Sequence, residues 1–303
     1  MSASDQLKSD IDELVPDMVA LRRDLHEHPE LAYEEVRTSG LVAQRLHSLG
    51  LQVQTGVAQT GVVGLLRGGA SQPGAKTLAI RADMDALPIH ELNELDYRST
   101  VEGKMHACGH DGHTAIALAV AALLSKHQAE LTGNVKFLFQ PAEEGRGGAK
   151  QMVKEGVMEG VDGVIGLHLM SNYASGRVGV RAGAVFASAD GIVLRVKGKG
   201  GHAAMPESAV DPIVISAYLI TALQTLLSRE SSPFSPAVLT ISTIQAGSAF
   251  NIIPETVEMQ GTVRAFSQHD REKLLRRMSE IAHGIASAMG GSCDVQPLYG
   301  PPA

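Results

Sequence analysis

The stretch Asn134-Val135-Lys136-Phe137-Leu138-Phe139-Gln140-Pro141-Ala142-Glu143-Glu144-Gly145 decides the fold class. A run as apolar as Val135-Lys136-Phe137-Leu138-Phe139 reads as a strand covered on both faces. Pro141 ends it, and two carboxylates follow at once. Upstream, residues 114–126 have no polar face, the pattern of a buried helix. Further strand-like runs occupy residues 61–67, 77–83 and 163–168. Strands interleaved with a buried helix predict an α/β fold, a mostly parallel or mixed sheet flanked by helices.

On the N-terminal side, Val15, Met18, Val19, Leu21 and Leu25 form a helical stripe over residues 15–28. Pro16 suits its first turn and Pro29 follows its end. A second helix, 38–49, stops at Gly50. After about residue 187 the texture changes. Residues 190–198 alternate like a half-exposed strand, and Asp211 is placed to cap a helix running to about 228. Strands at 237–246 and 255–266, an amphipathic helix at 268–289 and a last strand at 292–298 complete a β-α-β-β-α-β open-faced sandwich. The expected organisation is a first domain over 1–187, an inserted one over 188–297, and a return towards the first at 298–303.

A chain of 303 residues has room for two domains, since single cores stop growing near ~250–300 residues. A net charge of −7 argues against a nucleic-acid partner, and the absence of tryptophan leaves few platforms for stacking bases. Two cysteines cannot build a disulfide framework. The N-terminus lacks a secretory pattern, and the longest apolar stretch, 115–124, is far short of the ~20 residues of a membrane span. The expectation is a cytoplasmic enzyme without a membrane partner.

Ligands of open α/β sheets gather beyond the carboxyl ends of the strands. Asp83 and Asp85 end one run, Glu143 and Glu144 another, and His168 a third. Cys108 and His110 lie two apart, so they share no face of a regular helix, but Gly109 permits a turn on which both converge. Thiolate, imidazole and carboxylate together are the donors of a transition-metal site, which points to a metal-dependent hydrolase. The bland alternatives are a buried cysteine, a surface acidic pair and a core histidine. Arrival of all these groups at one edge weighs against them. His106 and His113 are expected just behind the metal ligands. His26, His28, His47, His127, His269 and His283 are expected to be solvated. The glycine-rich 198–202 is read as a flexible turn presenting His202.

Several runs carry a family resemblance: Arg22-Arg23-Asp24-Leu25-His26-Glu27-His28-Pro29-Glu30-Leu31, Arg81-Ala82-Asp83-Met84-Asp85-Ala86-Leu87-Pro88, residues 106–113, Pro141-Ala142-Glu143-Glu144-Gly145 and Gly201-His202-Ala203-Ala204-Met205-Pro206. The chain resembles the metal-dependent amidohydrolases of the hippurate hydrolase and auxin-conjugate hydrolase type, relatives of aminoacylase. That resemblance implies a zinc-exopeptidase-like catalytic domain with two divalent ions, Mn²⁺ foremost, with Zn²⁺, Co²⁺ or Ni²⁺ as alternatives. It implies Cys108, His110, Glu144 and His168 as ligands, Glu143 as catalytic base and Asp85 as the acid that orients and polarises the site. It assigns His202, Asn251 and Arg264 to substrate binding, and the inserted domain to a lid and homodimer contact, His202 often serving a partner's site. The implied substrate is a small N-acyl amino acid, cleaved at its amide.

Two departures stand out. Glu207 replaces the histidine common after Met205-Pro206, and the family's further segment with a last histidine ligand does not follow residue 303. The C-terminal part of the catalytic domain is therefore expected to be missing, which leaves an inactive fragment or a metal-binding and dimerisation module as one rival. Another rival makes Cys108 a nucleophile with His110 as its base.

Overall fold

A computed structural model describes residues 3–303. The first helix, α1, is Ala3–Glu27, twelve residues longer at its start than the stripe from Val15 predicts. The early turns are anchored by Asp10, whose buried carboxylate meets Lys126 Nζ at 2.6 Å and His127 Nε2 at 2.7 Å. Pro16 thus lies inside the helix, not in its first turn. It sits on the exposed side of the helix.

The first of two units runs through Gly176. After α1 come α2 (Val36–Ser48), β1 (Gln52–Val57), β2 (Gly61–Leu66), β3 (Thr77–Asp83), α3 (His110–Lys126), β4 (Asn134–Gln140), α4 (Gly148–Lys154) and β5 (Gly163–Gly166). Strand order is β1-β2-β4-β3-β5, with β4, β3 and β5 parallel and β1, β2 antiparallel. The sheet is therefore mixed. β1 was not foreseen, because Gln52, Gln54 and Thr55 give it an exposed, polar look. Along β4, Val135, Phe137 and Phe139 enter the layer of α1, α2 and α3, and Leu138 enters the opposite layer with Met152 of α4. That alternation covers both faces, and each fully buried phenylalanine is worth about 1.5–3 kcal/mol of transfer free energy.

The second unit, from Arg177, contains β6 (Asp190–Lys197), β7 (Gly201–His202), α5 (Pro212–Thr225), β8 (Ala237–Ala246), β9 (Ile252–Ile253), β10 (Thr256–Ala265), α6 (Gln268–Ala288) and β11 (Ser292–Leu298). Four antiparallel strands in the order β11-β6-β10-β8 share one core with α5 and α6. Asp211 caps α5, accepting from Ile213 N at 2.8 Å, with Pro212 in the first turn. The helix continues as a π turn over Leu226–Glu230, so that among the described residues Pro212–Glu230, rather than 115–124, is the longest apolar segment, long enough by length and composition alone to cross a membrane. Ile215, Leu219, Leu223 and Leu226 from it fill the unit's core.

Candidate metal centre

Because β3, β4 and β5 run parallel, their carboxyl ends open on one edge of the sheet. Asp83 and Asp85 follow β3, Glu143 and Glu144 follow β4, and His168 follows β5. Opposite them stands the N-terminus of α3, one turn earlier than predicted, so that His110 is its first residue. Gly109 precedes it with φ 88°, a left-handed conformation that a residue with a Cβ adopts only under strain. This kink turns Cys108 and His110 towards a common point.

Cys108 Sγ lies 3.4 Å from His168 Nε2, and these atoms share one cluster with a His110 ring nitrogen. A second cluster joins His110 with Glu143 and Glu144, His110 Nε2 being 4.0 Å from Glu144 Oε1. Within each cluster the donor atoms all lie within 4.8 Å of one another. The four side chains expected as ligands therefore fall into two clusters that share His110, with Glu143 in the second. His110 donates from Nδ1 to the Asp85 carbonyl at 2.8 Å, which points Nε2 inward, and that buried nitrogen has no hydrogen-bond partner. Buried ring nitrogens are ordinarily satisfied, and an inward imidazole nitrogen facing a cysteine sulfur and carboxylates is what a divalent cation fits. Electrostatics agree. Burial alone would depress His110, yet Asp85, Cys108 and Asp83 push it up to about 11, so the surrounding groups favour a positive charge at this point, whether a proton on Nε2 or a cation in its place.

Asp85 holds the acidic turn from below. Its two oxygens accept the backbone N–H groups of Glu143 and Glu144 at 2.9 and 3.0 Å. Gly148 closes the same turn: a Cβ there would collide with the Pro141 carbonyl. Although Glu143 remains exposed to solvent, partial desolvation by its neighbours raises its carboxyl above the usual range, and the charges of Glu144 and Asp83 raise it further.

Several supporting contacts escaped the sequence reading, although Asp83, His106 and His113 themselves were expected at or behind the rim. Burial would raise Asp83, but its bond to His113 Nδ1 at 2.6 Å and the charges of Arg81 and His110 hold it down at about 2. The other His113 nitrogen accepts Leu169 N–H at 2.8 Å, so His113 ties β3 to the His168 segment. His26 is buried, not solvated. Its Nδ1 lies 2.7 Å from Asp111 Oδ2 and its Nε2 3.1 Å from Glu91 Oε1, and Arg22 Nε reaches Asp111 at 2.8 Å. The one signal was Arg22 and His26 at i, i+4 beside the buried Leu21 and Leu25. His106 is also buried, and burial holds it neutral, its pKa lowered to about 4.

In the second unit, His202 and Asn251 are neighbours on the β7–β9 ribbon, where Ala203 N donates to the Asn251 carbonyl at 3.1 Å. The segment presenting His202 is thus paired strand. Ala204 N donates to His202 Nδ1 at 3.1 Å, which leaves Nε2 to carry the proton. Arg264 is not beside them. It stands near the far end of β10, roughly 26 Å of strand from Thr256.

Residues 79–289 match the model of peptidase family M20/M25/M40. The chain is 44% identical over 299 residues to thermostable carboxypeptidase 1 of Saccharolobus solfataricus, covering 98% of itself and 75% of that relative. It is 44% identical over 297 residues to an N-acyl-L-amino acid amidohydrolase of Geobacillus stearothermophilus, covering 98% of itself and 80% of that protein. A crystal structure described as a dinuclear metal-binding M20 peptidase of Bacillus subtilis superposes with a TM-score of 0.83 at 36% identity, over 96% of this chain and 75% of that one.

Proposed function

Since this chain belongs to peptidase family M20/M25/M40, an amide-hydrolysing family, we propose that it cleaves the amide bond of N-acyl amino acids. The observation that carries this reading is the pair of donor clusters that share His110, Cys108 and His168 in one and Glu144 with a raised Glu143 in the other. Those four would hold two divalent ions, Mn²⁺ foremost, Zn²⁺, Co²⁺ and Ni²⁺ also suiting mixed sulfur, nitrogen and oxygen donors. When bound, such ions supply Lewis acidity that brings the pKa of a water down to ~7. Glu143 accepts a proton from the attacking water and returns it to the amine nitrogen as the C–N bond breaks. Its raised pKa suits both halves of that exchange. Asp85 keeps Glu143 and Glu144 in place through their N–H groups. His202 Nε2–H is a donor for the developing oxyanion, while Arg264 and Asn251 suit the free carboxylate of the amino acid.

Partnership belongs to the same proposal. β8 is an edge strand with Val238 and Ile244 exposed, a surface suited to a homodimer through the second unit. The length of β10 between Thr256, which follows the His202 ribbon, and Arg264 is consistent with His202 and Arg264 serving different copies. The thiol-nucleophile alternative, with His110 as base, leaves Glu143, Glu144 and His168 without a task and is set aside. Glu143→Ala tests the assignment. Turnover of an N-acetyl and N-benzoyl amino-acid panel should fall about 10²–10⁴-fold, with bound metal unchanged. Near-normal turnover would remove Glu143 from the reaction.

A further inference from the structure

The segment Pro29-Glu30-Leu31-Ala32-Tyr33-Glu34-Glu35, between α1 and α2, takes no part in the proposed chemistry, yet its groups end on the walls of the site. The Glu30 carbonyl accepts Ala86 N at 2.8 Å, and Leu31 bridges Ala86, one residue past Asp85. The Glu30 carboxylate accepts from Arg37 N and Thr38 N, which caps α2 and fixes the segment's far end. Tyr33 Oη donates to the Arg146 carbonyl at 3.1 Å. Glu35 is wholly buried; its Oε1 accepts Ala142 N at 2.8 Å and its Oε2 accepts the Thr60 hydroxyl at 2.5 Å.

Ala142 is the residue that needs holding. Its φ is 53°, left-handed for a side chain that has a Cβ, and such conformations persist only where the surroundings over-determine them. Counting Asp85, the three consecutive N–H groups of residues 142–144 all end on buried carboxylates. Burial pushes the Glu35 carboxyl up against the bonds from Thr60 and Ala142, so this acid is kept in an unfavourable place. We propose that Glu35 is a positioning residue: it locks Ala142 in the left-handed conformation and so aims Glu143 and Glu144 at the metal centre. Its effect on turnover rests on the hydrolase reading; its grip on the turn does not.

The test compares the full chain with Glu35→Ala, Glu35→Gln and the double variant Glu35→Ala/Ala142→Gly. Two quantities are read: amide hydrogen exchange over 141–148, and kcat and KM on the acyl-amino-acid panel per metal-loaded molecule. In Glu35→Ala, exchange at 142–144 should quicken at least about ten-fold, with α6 peptides unchanged. In the same variant kcat should fall about 10²-fold while KM holds within about two-fold. Glu35→Gln should keep most of both, because its amide oxygen still accepts from Ala142. Ala142→Gly should restore much of the lost kcat, since glycine takes a positive φ freely. Unchanged exchange in Glu35→Ala overturns the proposal, as does full kcat on a loosened turn. If Glu35→Ala fails to fold, Ala142→Val strains the same bond from its other side, and wild-type exchange there overturns the proposal equally. A wild-type chain that turns over no acyl amino acid counts against the hydrolase reading, while the exchange comparison still decides what Glu35 holds.

Discussion

Asp85 accepts Glu143 N and Glu144 N on its carboxylate and His110 Nδ1–H on its backbone carbonyl, with one carboxylate oxygen also 3.4 Å from that Nδ1. One residue thereby orients a proposed ligand from α3 and a proposed ligand and base after β4. Of the three accepted bonds, two depend on the side chain. Asp85→Asn places an amide N–H against one of the two donors, while His110 keeps its carbonyl. Metal affinity should then fall about 10–100-fold, the usual cost of removing a group that orients ligands, and a competitive chelator titration measures it. Unchanged affinity would mean that the acidic turn holds itself. In the sequence Asp85 stood out as a carboxylate past a strand end. Its double acceptance could not be read there, because the donors lie 58 and 59 residues away.

At the scale of elements, patterns repeating within a dozen residues were legible and distant anchors were not. β8 and β11 begin and end where the alternation places them, and Asp211 caps α5 as its position before Pro212 requires. The early start of α1 was hidden, since Asp10 finds Lys126 and His127 at the far end of α3. Those two bonds, Lys126 first, lower Asp10 to about 2. A depressed carboxylate contributes stability that is present above its unfolded pKa, about 3.9, and is lost as pH falls through the folded value. The urea midpoint of wild type should therefore exceed that of Asp10→Asn at pH 5–7, and the gap should close between about pH 4 and 2. A gap independent of pH would show that Asp10 acts by shape alone.

Across the whole molecule, a helix-flanked sheet and the rim of acids, imidazoles and a thiol at its strand ends were legible in the sequence, while the division expected near residue 187 lies instead at 176/177. The network beneath that rim was not legible. His26 reaches Asp111 and Glu91 across 85 and 65 residues, and His113 reaches Asp83 across 30, distances at which no local pattern survives. The central claim is that Cys108 joins His110, Glu144 and His168 in gripping divalent ions. Zinc K-edge X-ray absorption on the Zn²⁺-loaded full chain measures it directly. The expected spectrum has a sulfur neighbour at about 2.3 Å, absent from Cys108→Ser. A loaded wild-type protein showing only nitrogen and oxygen neighbours would contradict it.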